Sequence, residues 1–164
     1  MSKKPRFVAF STQKGGAGKT TLTVLVASLL HYVKGKSVAI IDCDYPQHSI
    51  VDMRERDLKM ALDDEYYKQM AYEQFTRLSK KAYPVVESSP KEAVADAEYL
   101  LPQDEFDYIF FDLPGTMNNE DLIHTLARMD YIIAPISADR VVMESTLDYV
   151  VTVRDHIINS GKSN

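Results

Sequence analysis

The stretch KGGAGKT, residues 14–20, is followed at once by Thr21 and lies between an apolar run at residues 7–10 and the helically spaced apolar residues of 22–30. A buried strand that enters a glycine-rich turn and leaves it as a helix is the local design of a phosphate-binding loop. Backbone N–H groups of such a turn, with the positive end of the helix behind them, form a concave anion site that larger side chains would block. The pattern assigns Gly15, Gly16, Ala17, Gly18, Lys19, Thr20 and Thr21 to the phosphate cradle. Lys19 is placed to reach the β/γ-phosphates of a nucleotide, and the Thr20 hydroxyl to bind Mg²⁺. Two departures from the usual Gly-x4-Gly-Lys-Ser/Thr pattern stand out. Gln13 occupies the first glycine position, and Lys14 puts a second lysine inside the loop.

Bulk properties set the frame around this loop. A chain of 164 residues and 18.6 kDa with 45% hydrophobic residues is expected to form one domain with a substantial core. Its 24 acidic and 19 basic residues give a formal charge of -5, which argues against adherence of the whole surface to nucleic acid by unspecific electrostatics. The single cysteine, Cys43, cannot form an internal disulfide, and the opening MSKKPRFVAF has too short an apolar run for a signal peptide. No stretch approaches the ~20 apolar residues that span a bilayer. A soluble, cytoplasmic protein is therefore expected.

The hydrophobic pattern predicts strands over residues 6–11, 37–43, 107–113 and 130–136, with a weaker one at 82–87. Helices are predicted over 19–34, 90–101, 120–129 and 141–158, and a long polar helical region covers about 49–81. Strands that alternate with helices require crossover connections, hence an α/β fold with a mostly parallel sheet flanked by helices. Within 62–83, Tyr66, Tyr67, Tyr72 and Tyr83 stand among Lys68, Arg77, Lys80 and Lys81. A nucleic-acid surface uses such residues, but the simpler reading is a solvated helix whose tyrosines pack on its inner face.

Phosphoryl transfer needs charge stabilisation, a metal and a positioned water, so a phosphate loop calls for carboxylates at neighbouring strand ends. Asp112, which ends the apolar run 109–111, suits a metal-binding role, and Leu113, Pro114 and Gly115 after it read as a switch segment. Asp42 and Asp44 bracket Cys43 at the end of the second strand; on residue chemistry alone, either is as readily a turn former as a catalyst. Cys43 reads as a small buried hydrophobe. His31, His48, His124 and His156 lie at unrelated spacings without the companions of a zinc site, and no chemistry is assigned to them.

KGGAGKTT with its extra Lys14 resembles the deviant Walker A loop of the ParA/MinD family of partitioning and positioning ATPases, and the likeness runs from Phe7 to about Ile158. It implies a three-layer P-loop NTPase fold and a Mg²⁺-dependent ATPase that switches between monomer and ATP-bound homodimer. It further implies Asp44 for water positioning, Asp42 for the outer shell of the metal alongside Thr20 and Asp112, and Lys14 as a catalytic residue reaching the partner's nucleotide. The family often reads Asp-x-Asp-Pro-Gln where this chain inserts Tyr45 before Pro46 and Gln47. The chain looks most similar to ParA-like proteins of plasmids and conjugative transposons, which implies partitioning or conjugative DNA transfer, with a DNA-bound adaptor protein and nonspecific DNA as partners. Relatives usually continue with a further strand and helices that are not visible here. Two alternatives remain at this level: an ATP-dependent metabolic ligase or amidase of the same superfamily, and a nucleotide-binding scaffold that does not hydrolyse. The tail SGKSN lacks the tyrosine cluster of the bacterial tyrosine kinases that share the fold, and one cysteine cannot hold an iron–sulfur cluster of the nitrogenase kind.

Overall fold

The structure, a computed structural model, describes residues 4–13, 16–115 and 120–158. Five parallel strands form one sheet: β1 (Arg6–Phe10), β2 (Val38–Asp42), β3 (Val85–Glu87), β4 (Tyr108–Asp112) and β5 (Tyr131–Ile133), in the spatial order β3-β2-β4-β1-β5. The helices are α1 (Lys19–Ser28), α2 (Ser49–Asp63), α3 (Glu65–Leu78), α4 (Ala93–Leu100), α5 (Glu120–Ala127) and α6 (Arg140–Val153). Helices α1 and α6 each run on into a π-helical turn, Leu29–Val33 and Arg154–Ile158.

Alternation along the central strands explains the layers. Successive strand residues face opposite sides of a sheet, and in β2 the odd and even residues separate into two cores. Val38 and Ile40 join Val8, Phe10 and Phe110 beneath α1, while Ala39 and Ile41 join Phe7, Ile109 and Phe111 beneath α4, α5 and α6. Every residue of β2 is buried, as expected of a parallel strand covered on both faces. Strand β5 is shorter than the predicted 130–136. It pairs with β1, and Tyr131 and Ile133 remain exposed, the marks of an edge strand.

The polar helical region 49–81 consists of two helices, α2 and α3. Asp64 leaves the helical conformation and its carboxylate accepts the N–H of Tyr66, which caps α3. Helix α3 buries none of its residues. The expected inner-face packing of the tyrosines is therefore corrected: Tyr66, Tyr67 and Tyr72 are exposed, and Tyr83 is buried not on the helix but just before β3, under the guanidinium of Arg54 at 4.6 Å. Seven carboxylates match seven cations over 49–81, which leaves this exposed hairpin without the basic excess that nucleic acid requires.

The topology fixes where a ligand belongs. From β1 the chain crosses to β2 on one side, whereas from β4 it crosses past β1 to β5 on the other. The crevice at the carboxyl ends of β1, β4 and β2 is the switch point at which parallel sheets bind ligands.

Candidate functional site

The loop after β1 opens directly into that crevice. Gly16 and Gly18 adopt left-handed backbone, at φ +74 and +75, and a Cβ on either would meet nothing within 4 Å. Glycine is needed at both for the backbone turn rather than for internal packing. Gly18 starts α1, its carbonyl accepting the N–H of Leu22, and no side chain caps the helix among the described residues. The N–H groups of the first turn, on Lys19, Thr20 and Thr21, are thus left for an anion, with the helix dipole behind them. Lys14 and Gly15 lie outside the described residues.

Thr20 and Lys19 both act on Asp112, at the end of the neighbouring strand β4. The Asp112 carboxyl is fully buried, and among the described residues neither of its oxygens has a hydrogen-bond partner. Burial above all, with Asp42 and Asp44 beside it, pushes it up to about 6 against the pull of the Thr20 hydroxyl and the Lys19 ammonium, neither of which closes a hydrogen bond of ordinary length. Two orphaned carboxylate oxygens beside a threonine hydroxyl are a hard oxygen donor set, and they fit Mg²⁺. Among the described residues no group of three or more His, Cys, Asp or Glu side chains is arranged to hold a metal alone. Such an ion would take further oxygens from phosphate and water.

Asp42 is placed differently. Its side chain is also fully buried, but its Oδ2 accepts the N–H groups of Ile50 at 2.9 Å and Val51 at 3.1 Å, so that it caps the first turn of α2. Its Oδ1 accepts the N–H of Asp44 at 3.4 Å. Asp44 is half-buried at the mouth of the crevice, and its carbonyl accepts the N–H groups of Gln47 and His48. Between α1 and α2 a groove of about 610 Å³ runs from the loop, lined by Thr20, Thr21, Val24, Ser49 and Met53 among others. Ala17 and Gly115 are half-buried and Thr21 is exposed. Cys43 is fully buried, with its thiol pushed well up by burial and by Asp42 and Asp112, which removes it as a nucleophile at neutral pH.

One residue at this site carries no signal in the sequence. His48, a histidine to which sequence spacing assigns no chemistry, is buried at the start of α2 with φ 38, and its Nδ1 lies 3.2 Å from the carbonyl of Asp42. The only hint is its position, immediately before a helix and directly after an Asp-x-Asp turn.

The sequence matches the family described as ATPase MipZ over residues 6–155. It is 36% identical over 85 residues to the uncharacterized protein BBD21 of Borreliella burgdorferi, an overlap of 51% of this chain and 34% of that one. The match thus spans about a third of that relative's length. Among solved structures, a plasmid partition protein from Borrelia burgdorferi superposes with a TM-score of 0.66 at 21% identity, covering 93% of this chain and 75% of that one. A putative plasmid partition protein from the B31 strain, bound to AMPPNP, gives 0.64 at 23%, covering 93% and 69%. FlhF in complex with GTP and Mg²⁺ gives 0.54 at 18%, covering 93% and 52%. At these identities the likeness to the solved structures establishes the fold.

Proposed function

The chain belongs to the MipZ ATPase family, and from that premise we propose that it binds ATP with Mg²⁺ and hydrolyses it, switching between a monomer and an ATP-bound homodimer. The observation that carries this reading is the buried Asp112, both of whose carboxylate oxygens lack a partner among the described residues, beside Thr20 at the start of a helix that no described side chain caps. A fold does not leave a carboxylate in that condition without use, since an ionised group buried without a partner is costly.

In this reading the N–H groups of residues 15–21 bind the phosphates, and the Lys19 ammonium neutralises their β/γ oxygens. Thr20 and Asp112 would hold Mg²⁺, with the Asp42 carboxylate behind them. Bound Mg²⁺ supplies the positive charge that offsets the phosphate oxygens as the terminal bond breaks. Asp44 orients the attacking water from the end of β2. The segment Leu113 to Gly115 follows Asp112 and senses the terminal phosphate, and Lys14 reaches across to the nucleotide of a second copy.

The process served is partitioning or transfer of DNA, with a DNA-bound adaptor protein as partner. Its support is the likeness to plasmid partition proteins, and no helix among the described residues is long and apolar enough to cross a membrane. The test is equilibrium binding of ATP and of GTP, with and without Mg²⁺, followed by phosphate release and sedimentation. Mg²⁺-dependent ATP binding, slow turnover and an ATP-dependent dimer are expected. Absence of triphosphate binding would overturn the reading; binding without turnover would leave a nucleotide-dependent scaffold, and preference for GTP would reassign the base.

A further inference from the structure

The turn from Cys43 to His48 carries Asp44 and spans the six residues between the end of β2 and the start of α2. A turn of that length is free to place its carboxylate in more than one way, unless something else restrains it. The restraint in this fold comes from its last residue. The His48 backbone N–H donates to the carbonyl of Asp44 at 3.0 Å, and its imidazole Nδ1 reaches back to the carbonyl of Asp42 at 3.2 Å. On the other side Nε2 faces Glu87 Oε1, at the end of β3, at 3.6 Å, and the ring edge meets Tyr45 at 5.8 Å between centroids.

The imidazole therefore ties the end of the turn to the ends of two neighbouring strands, β2 and β3, while the backbone N–H of the same residue closes the turn on Asp44. It does so from left-handed backbone, at φ 38, which is costly for a residue other than glycine. Strain held by surrounding contacts clusters where placement matters for function.

We propose that His48 is a positioning residue that fixes the turn carrying Asp44, and so sets where that carboxylate holds the attacking water. The inference rests on the assignment of Asp44 to water positioning. His48 itself touches neither phosphate nor metal in this scheme, and a misplacement of about 1 Å at a reacting group can cost about a hundredfold in rate.

The experiment compares the full chain with His48→Gly and His48→Asn in steady-state ATP hydrolysis with Mg²⁺, alongside ATP affinity and thermal unfolding. Glycine adopts the left-handed backbone without strain and removes only the imidazole, while asparagine tolerates that backbone and keeps a short polar side chain. For His48→Gly, kcat is expected to fall at least about tenfold with KM within about twofold of the parent. His48→Asn is expected to recover part of the loss. Parental kcat in His48→Gly overturns the inference alone, as does a parallel loss of ATP affinity and thermal stability, which would make the residue merely structural. A parent chain that binds ATP without turnover overturns the Asp44 assignment and this inference with it.

Discussion

Asp42 and Asp112 end neighbouring strands in register, and both side chains are fully buried, yet among the described residues it is the Asp42 carboxylate that finds hydrogen-bond donors. Asp42 takes two N–H groups from the first turn of α2, whereas Asp112 takes none from the described residues. Two like charges at adjacent strand ends are tolerable when one is held by a helix N-terminus and the other has a cation to meet. The division of labour follows from chain direction. Helix α2 starts seven residues after Asp42 and turns the N–H groups of Ile50 and Val51 onto that carboxylate, while Leu113 and Pro114 follow Asp112.

Asp112→Asn is expected to stabilise the metal-free chain while abolishing its Mg²⁺ dependence. The rise of the carboxyl from 3.8 to about 6 corresponds to roughly 3 kcal/mol against the ionised form. Because the folded value lies above the unfolded one, the contribution of this group to stability is complete below about 3.8 and is lost as pH rises through about 6. Thermal unfolding in a chelator at pH 7 should show the asparagine variant melting higher than the parent, with the difference shrinking toward pH 5. With ATP and Mg²⁺ the order should reverse. A variant that melts lower in the chelator would show that the carboxylate has a partner in solution.

His31 gives the opposite dependence at the far end of α1. Its Nε2 bonds the carbonyl of Lys81 at 2.9 Å, its Nδ1 is buried without a partner, and burial lowers its pKa below the usual 6.5. The unfolded chain therefore takes up the proton first. The stability held at this position is complete above 6.5 and is lost as pH falls through the folded value. His31→Gln should cost some stability at pH 8 and flatten the decline that sets in as pH falls below 6.5, as read by unfolding in urea. An unchanged acid limb would place the sensitivity elsewhere.

Lys19→Ala removes the cation nearest the phosphate cradle and should weaken ATP binding by about a hundredfold, the scale of a charged hydrogen bond worth about 3 kcal/mol. Titration calorimetry in Mg²⁺ measures it. Affinity equal to that of the parent would mean that the loop does not hold phosphate. Asp44→Ala, by contrast, should bind ATP as the parent does and lose about a hundredfold in turnover, since a group that orients water acts in the transition state. Parental turnover would show that Tyr45 has moved the role elsewhere.

The fold was legible because its decisive signals are local and redundant. The run FVAF before the glycine loop, SVAII and DYIFFD each carry buried-strand character within a few residues, and the loop itself fixes the order of strand, turn and helix. What failed was context. Tyrosines at 66, 67 and 72 are compatible with either face of a helix, and the sequence does not reveal that α3 packs without burying any residue. Asp42 and Asp44 look alike as letters, and only the path of α2 decides which carboxylate becomes a helix cap. His48 was invisible for the same reason. Its partners are two backbone carbonyls and a glutamate 39 positions on, none of which leaves a spacing.

Lys14 remains the residue with no evident task inside one subunit, because Lys19 already lies at the cradle. The lysine stands beside Gly15 and Gly16, where the absence of side chains allows another backbone to approach closely. A long cationic side chain at such a surface would complete the phosphate site of a second copy, and a charge supplied in trans typically changes turnover by about 10³-fold or more. Lys14→Ala is thus expected to bind ATP with the parental affinity, to lose the ATP-dependent dimer and to lose most of its turnover. Sedimentation with ATP and Mg²⁺, paired with phosphate release from the same samples, separates the possibilities. A dimer of parental strength with parental turnover would reduce Lys14 to an exposed loop residue and leave an ATPase that works as a monomer. Loss of ATP affinity as well would place Lys14 on its own subunit's phosphates, beside Lys19.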